Sequence, residues 1–212
     1  MSFTLPQKLL TEFIGTFFLS LTICTTAIHL SADEYVPFAI ASTLMVVIYA
    51  GGHVSGAHYN PAVTISVYLR GSCDKNDVLP YIVSQISAAV IAALVSEKLL
   101  STKKYYSIDL FSLSSEAVVA EFLFTFLLAY VILNVATTES TSGNGYYGAA
   151  IALVVLAGAI TVGDISLASF NPAVTSALII SGKISLSSSW MHFLPQFTGG
   201  ILAAYVYKFN TK

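Results

Sequence analysis

Asn60-Pro61-Ala62-Val63-Thr64 recurs as Asn171-Pro172-Ala173-Val174-Thr175, each copy after a small glycine- or serine-bearing turn and before a short apolar run. The string reads as a helix start. Asparagine is a strong N-cap because its side-chain carbonyl accepts a backbone N–H of the first turn. Proline suits the first helical position, where its missing N–H leaves nothing unpaired and its φ is preset. Pro61 and Ala62, and Pro172 and Ala173, are therefore predicted to open two helices. Capping uses only the carbonyl half of the amide, so the NH2 groups of Asn60 and Asn171 are left to donate elsewhere. A single copy would suit a capped helix in a soluble domain. Two copies in a chain this apolar do not.

The chain has 212 residues, 56% hydrophobic and 9% charged, whereas soluble domains carry about 25% charged residues. Such apolar runs must face lipid. Net charge is −2 and no basic cluster exceeds Lys103-Lys104, which excludes a nucleic-acid partner. Cys24 and Cys73 form no disulfide or metal pattern. The stretch after Lys8 lacks a small-residue cleavage site and is expected to be a retained first span.

Spans are predicted over about residues 9–30, 37–50, 79–95, 117–137, 147–162 and 190–207. The polar or glycine-rich stretches 51–59 and 163–170 are expected to break the chain before helices over about residues 61–69 and 172–181. These last two are too short to cross a hydrocarbon core of about 30 Å. Ser84, Ala88, Ala92 and Ser96 form a small-residue stripe on the third span that lets another helix approach closely.

Asn171 lies 111 positions after Asn60, Gln196 lies 111 after Gln85, and Glu121 lies 109 after Glu12. The Glu-Phe-x-x-Thr-Phe strings at 12–17 and 121–126 agree as well. The chain is therefore one channel domain, residues 1–212, made of repeats 1–107 and 108–212. Three spans per repeat is an odd number, so the second copy enters the membrane from the opposite side. The predicted fold is an all-α membrane protein with six spanning helices and two re-entrant half-helices in two inverted repeats. Irregular backbone at membrane depth is tolerated only beside protein or a watery cavity, which predicts a pore. Both termini are expected on the cytoplasmic side of a plasma or cytoplasmic membrane. The lysine and arginine balance, five against four, adds almost nothing to that orientation.

Six spans in two inverted halves, each with Asn-Pro-Ala opening a half-helix, resemble the aquaporin family of water and small-solute channels. The match takes in Glu12, Glu121, Ser55-Gly56-Ala57-His58, Gln85, Gln196 and Gly199-Gly200. The resemblance implies a homotetramer with one pore per subunit; membrane lipid is the expected surrounding, and no cofactor or metal is expected. Two helix N-termini, each worth roughly half a positive charge, would face the pore centre and repel cations. A water held by both asparagine donors turns its hydrogens outward along the pore and cannot accept a proton there.

One departure stands out. Family members usually place an arginine directly after the second Asn-Pro-Ala, and here that residue is Val174. Counting from the asparagines, the rest of that selectivity filter falls on Ile40, Ala159 and Ala168. Such a ring is wider and more apolar than a strict water filter, so it would admit ammonia, urea, hydrogen peroxide or a small polyol, while dewetting makes water entry harder. Thr175 stands where glycerol-type members have aspartate, which weakens a glycerol reading. The expected function is a passive water channel with permeability to small neutral solutes; the alternative is a small-solute facilitator with poor water conduction.

Glu12, Glu121, His53, His58, Gln85 and Gln196 are expected to anchor the two loops, with Glu12 and Glu121 accepting loop N–H groups. A proton-coupled transporter could use the same carboxylates, but short capped half-helices favour a fixed lumen. His29 and His192, near span ends, are expected at the interface. No catalytic or metal-ligand constellation is present, so an enzyme is not expected, and the short loops offer little surface for adhesion.

Overall fold

The computed structural model describes residues 3–30, 33–100 and 111–211, and among these no strand occurs. The eight helices are α1 Leu5–Ile23, α2 Val36–Ser55, α3 Pro61–Arg70, α4 Lys75–Val95, α5 Ser115–Ala136, α6 Tyr147–Ser166, α7 Pro172–Ile180 and α8 Trp190–Asn210. Wider π-type turns continue α1 through Cys24–Leu30 and α4 through Ser96–Leu100. The proposed repeat boundary at 107/108 lies outside the described residues.

Among the described residues five helices are long and apolar enough to span a membrane. The sixth long helix, α8, has 21 residues, about 31 Å at the helical rise. It is less apolar because its inner face carries His192, Gln196, Gly199 and Gly200, all buried. By contrast α3 has 10 residues and α7 has 9, roughly half a bilayer core.

Packing is the same in both halves. α1 lies on α4 and α2, as α5 lies on α8 and α6; α3 crosses to α8 as α7 crosses to α4; and α2 meets α6, and α3 meets α7, across the middle. The ends show that the halves are inverted. The Lys8 ammonium at the start of α1 meets Asp77 at the start of α4, 2.7 Å away. Arg70, at the end of α3 and just before α4, donates to Thr137 after α5 and to the Tyr207 hydroxyl near the end of α8. The start of α1 and the end of α5 therefore share one face, here the terminal face.

Two expectations change. α2 runs through Gly51, Gly52 and His53 to Ser55, and α6 runs through Gly163 to Ser166, so each break is only four residues long. Gly51 serves close packing, since a Cβ there would lie 2.0 Å from the Tyr59 hydroxyl; likewise a Cβ on Gly15 would lie 2.2 Å from the Tyr59 ring. His192 is fully buried rather than interfacial; it faces α7 because α8 turns its polar stripe inward. The small-residue stripe packs as expected: Ala88, Ala92 and Ser96 are fully buried, and Ser84 donates to the Leu9 carbonyl at 2.8 Å.

Candidate functional site

Each half-helix begins at its asparagine. The Asn60 carboxamide oxygen accepts the Ala62 N–H at 2.9 Å, and that of Asn171 accepts the Ala173 N–H at 2.9 Å. The amide nitrogens then cross between the halves. Asn60 Nδ2 donates to the Phe170 carbonyl and Asn171 Nδ2 to the Tyr59 carbonyl, both at 2.9 Å. An NH2 has two hydrogens, so each asparagine keeps one donor rather than the two its cap alone would leave. Both residues line the same cavity.

The loops before them have an unusual backbone. Ala57 and Tyr59 in the first, and Leu167, Ala168 and Phe170 in the second, have φ between 47° and 65°. Left-handed conformations cost about 1–2 kcal/mol for each non-glycine residue. What offsets the cost is a carboxylate set into each turn, where successive N–H groups converge as in an anion nest. Glu12 accepts from Ser55 Oγ (2.6 Å), the His58 N–H (2.9 Å), the Tyr59 N–H (2.7 Å) and Gln85 Nε2 (2.8 Å). Glu121 accepts from Ser166 Oγ (2.7 Å), the Ser169 N–H (2.9 Å), the Phe170 N–H (2.7 Å) and Gln196 Nε2 (2.7 Å). Both carboxylates are fully buried, and every donor has its counterpart in the other half. With the N–H groups bound on that side, the carbonyls of Ala57, His58, Ala168 and Ser169 accept no hydrogen bond among the described residues, and all four residues line the cavity.

The two histidines of the first loop part company. His58 is buried, its Nδ1 3.2 Å from Thr64 Oγ1 and its ring edge-on to Tyr81. His53 does not anchor the loop: it is exposed on the last turn of α2, its ring centroid 5.8 Å from that of Phe3. α2 simply continues past the position where the sequence reads as a loop. In the second half Ser169 replaces His58, and the imidazole comes from α8 instead, with His192 Nδ1 3.2 Å from Thr175 Oγ1. Thr64 and Thr175 tie loop, half-helix and glutamine together in both halves; neither was expected from sequence to anchor a loop, Thr175 being noted only as the counterpart of an aspartate. Their identical places in the duplicated string were the available signal.

The cavity has a volume of about 260 Å³ and takes in Ile40, Ala159, Ala168 and Val174 along with both asparagines. Its walls are aliphatic: Leu19 and Ile23 from α1, Leu44 from α2, Leu128 and Ile132 from α5, and Val155 from α6. At the mouth opposite the terminal face stand Asp164 and Lys183. Toward the terminal face a second hollow, of about 390 Å³, is lined in part by Lys8, Asp77 and Cys73. Burial among the Asp77 and Asp74 carboxylates pushes the Cys73 thiol up to about 11, so it is protonated at neutral pH. Among the described residues no cluster of histidine, cysteine, aspartate and glutamate could hold a metal ion.

Comparison with known proteins agrees with this fold. The chain is 31% identical over 214 residues to Probable aquaporin NIP4-2 of Arabidopsis thaliana, covering 97% of this chain and 75% of that protein. It is 34% identical to Glycerol uptake facilitator protein-like 6 of Lactiplantibacillus plantarum, covering 94% and 95% of the two chains. Aquaporin Z of Photorhabdus laumondii is 30% identical, with coverages of 95% and 96%. Among solved structures, that of the aquaglyceroporin from Plasmodium falciparum superposes with a TM-score of 0.76 over 96% of each chain at 22% identity, a likeness of fold. The Major intrinsic protein family model matches residues 1–158 and again 115–212, its two matches overlapping along the duplicated chain. A multi-pass membrane channel for water or small solutes, and not an enzyme, this chain belongs to the major intrinsic protein family.

Proposed function

We propose that the chain is a passive water channel that also passes small neutral solutes, with Asn60 and Asn171 as central donors and Ile40, Ala159, Ala168 and Val174 as the filter. The observation that carries this is a single cavity bordered by both asparagines and all four filter residues, at the meeting point of two half-helix N-termini. Each N-terminus contributes roughly half a positive charge, a barrier to cations including hydronium. The remaining N–H of each asparagine binds the oxygen of a passing molecule and orients it, breaking the proton-relaying chain of water.

A second reading has its own support. The four filter side chains offer neither donor nor acceptor, and two of them are alanines that fill little of the lumen, which supports a wide and apolar ring. Dewetting there would slow water more than a less hydrated solute, and one relative is named as a glycerol uptake facilitator. Ammonia, urea, hydrogen peroxide or a small polyol would then be the main cargo.

As in the resemblance from sequence, the assembly proposed is a homotetramer in a plasma or cytoplasmic membrane with the termini on the cytoplasmic side. Large apolar side chains on the outer faces, among them Phe18, Leu123 and Leu153, suit contact with lipid or neighbouring subunits. The test is stopped-flow swelling of proteoliposomes in water, urea and glycerol gradients. Water passage no faster than in empty vesicles would overturn the primary reading. Val174→Arg should cut solute flux severalfold, and unchanged flux would overturn the filter assignment.

A further inference from the structure

Replacing the family's filter arginine by valine makes the two halves of this lumen nearly alike. Applying the 111-residue offset to Ile40, Ala159, Ala168 and Val174 gives Ile151, Ile48, Ala57 and Val63. All eight residues line the one cavity. The second set forms a ring on the terminal-face side of the asparagine pair, matching the first in three of four residues. The fourth differs: Ile48 stands where the filter has Ala159.

The difference in bulk has a visible consequence. Ile48, Ala57, Val63 and Ile151 are all buried, at 3%, 9%, 1% and 5% exposure; in the filter Ile40 and Val174 are buried as well, at 9% and 2%, and the contrast lies in Ala159 and Ala168, which are only partly buried. The loops sharpen the contrast, because His58 borders the lumen where the other half has Ser169. Three pairs run the other way: Leu44, Leu167 and Leu178 on the filter side are larger than their counterparts Val155, Gly56 and Val67. The cavity, moreover, extends from the far mouth past the filter and the asparagines as far as this second ring. It shares only His58 and Ile132 with the hollow leading to the terminal face.

From this geometry we infer that the solute-size limit is set not at the filter but at its counterpart, the ring of Ile48, Ala57, Val63 and Ile151 closed by His58. This rests on the channel reading above and adds to it where selection by size takes place. For a single-file path the resistances of successive constrictions add, so the narrower ring governs.

Proteoliposome swelling with urea, glycerol and erythritol tests the assignment. Ile48→Ala should raise glycerol flux severalfold and admit erythritol, and Ile151→Ala, in the same ring but the other half, should do likewise even if one of the two variants folds poorly. Ala159→Ile gives the filter the composition of the inner ring; a second equal constriction in series should cut glycerol flux by about half. The proposal is overturned if the two alanine variants leave the cut-off where it was, or if Ala159→Ile lowers flux far more than that. Wild-type vesicles passing neither water nor solute would instead overturn the channel reading, and this inference with it.

Discussion

The two re-entrant loops, Gly56–Tyr59 and Leu167–Phe170, solve one problem with two sets of side chains. Their backbone hydrogen bonding is the same: a buried glutamate accepts from a serine, two successive N–H groups and a glutamine in each. Their fillings differ. The first loop brings its own imidazole and leaves an aromatic, Tyr81, on the helix behind it, while the second carries Ser169 and takes the imidazole of His192 from the position equivalent to Tyr81. Tyr59 fits over Gly15 and Gly51, whereas its counterpart Phe170 fits over Gly158 and stacks on Phe124. Backbone polar groups at membrane depth have no water to fall back on, so the pattern that satisfies them admits little variation. Packing volume can be redistributed between neighbours, so it varies.

Removing the shared feature should have the largest effect. Glu12→Leu or Glu121→Leu leaves four buried donors without an acceptor, at about 1–3 kcal/mol each, enough to abolish folding. Yields of monodisperse protein in detergent should fall equally for both variants, and tolerance of only one would break the equivalence of the loops. Next come the asparagines. Asn60→Ala or Asn171→Ala loses a cap worth about 1 kcal/mol and leaves a carbonyl of the opposite loop unpaired, about 2–3 kcal/mol in all, read as a lowered thermal transition.

Altering a feature found on one side only should matter less. His58→Ser makes the first loop resemble the second and should cost about 1 kcal/mol, because Thr64 keeps its bond from Gln85 while the imidazole contacts are lost. The same thermal measurement checks it, and a loss as large as that of the asparagine variants would mean that the filling is as constrained as the backbone. The smallest effect concerns the Lys8–Asp77 pair, for which the second half has Ala117 and Ser188. Asp77→Asn should cost under about 1 kcal/mol and less at high salt, since the pair is partly exposed.

The half-helix starts, the spans and the glutamate, glutamine and asparagine positions were legible from residue type and offset. His53 and His192 were misplaced for one reason. A histidine near a glycine pair or a span end carries no local mark of whether its helix continues or which way it faces. Ile48 and Ile151 were as accessible from the offset as Gln196, but nothing in an aliphatic run says that one face of it borders a lumen until the second helix is in place.

What the sequence by itself determined was the duplicated frame, its caps and its membrane class, because these depend on residues a few positions apart and on a constant spacing. Only the tertiary structure decided that each asparagine donates to the opposite loop, that Gly51 serves packing rather than a break, and that His192 fills the place His58 holds in the other half. Each joins residues from separate helices or loops, and the distance and direction between such groups exist only once the helices have packed.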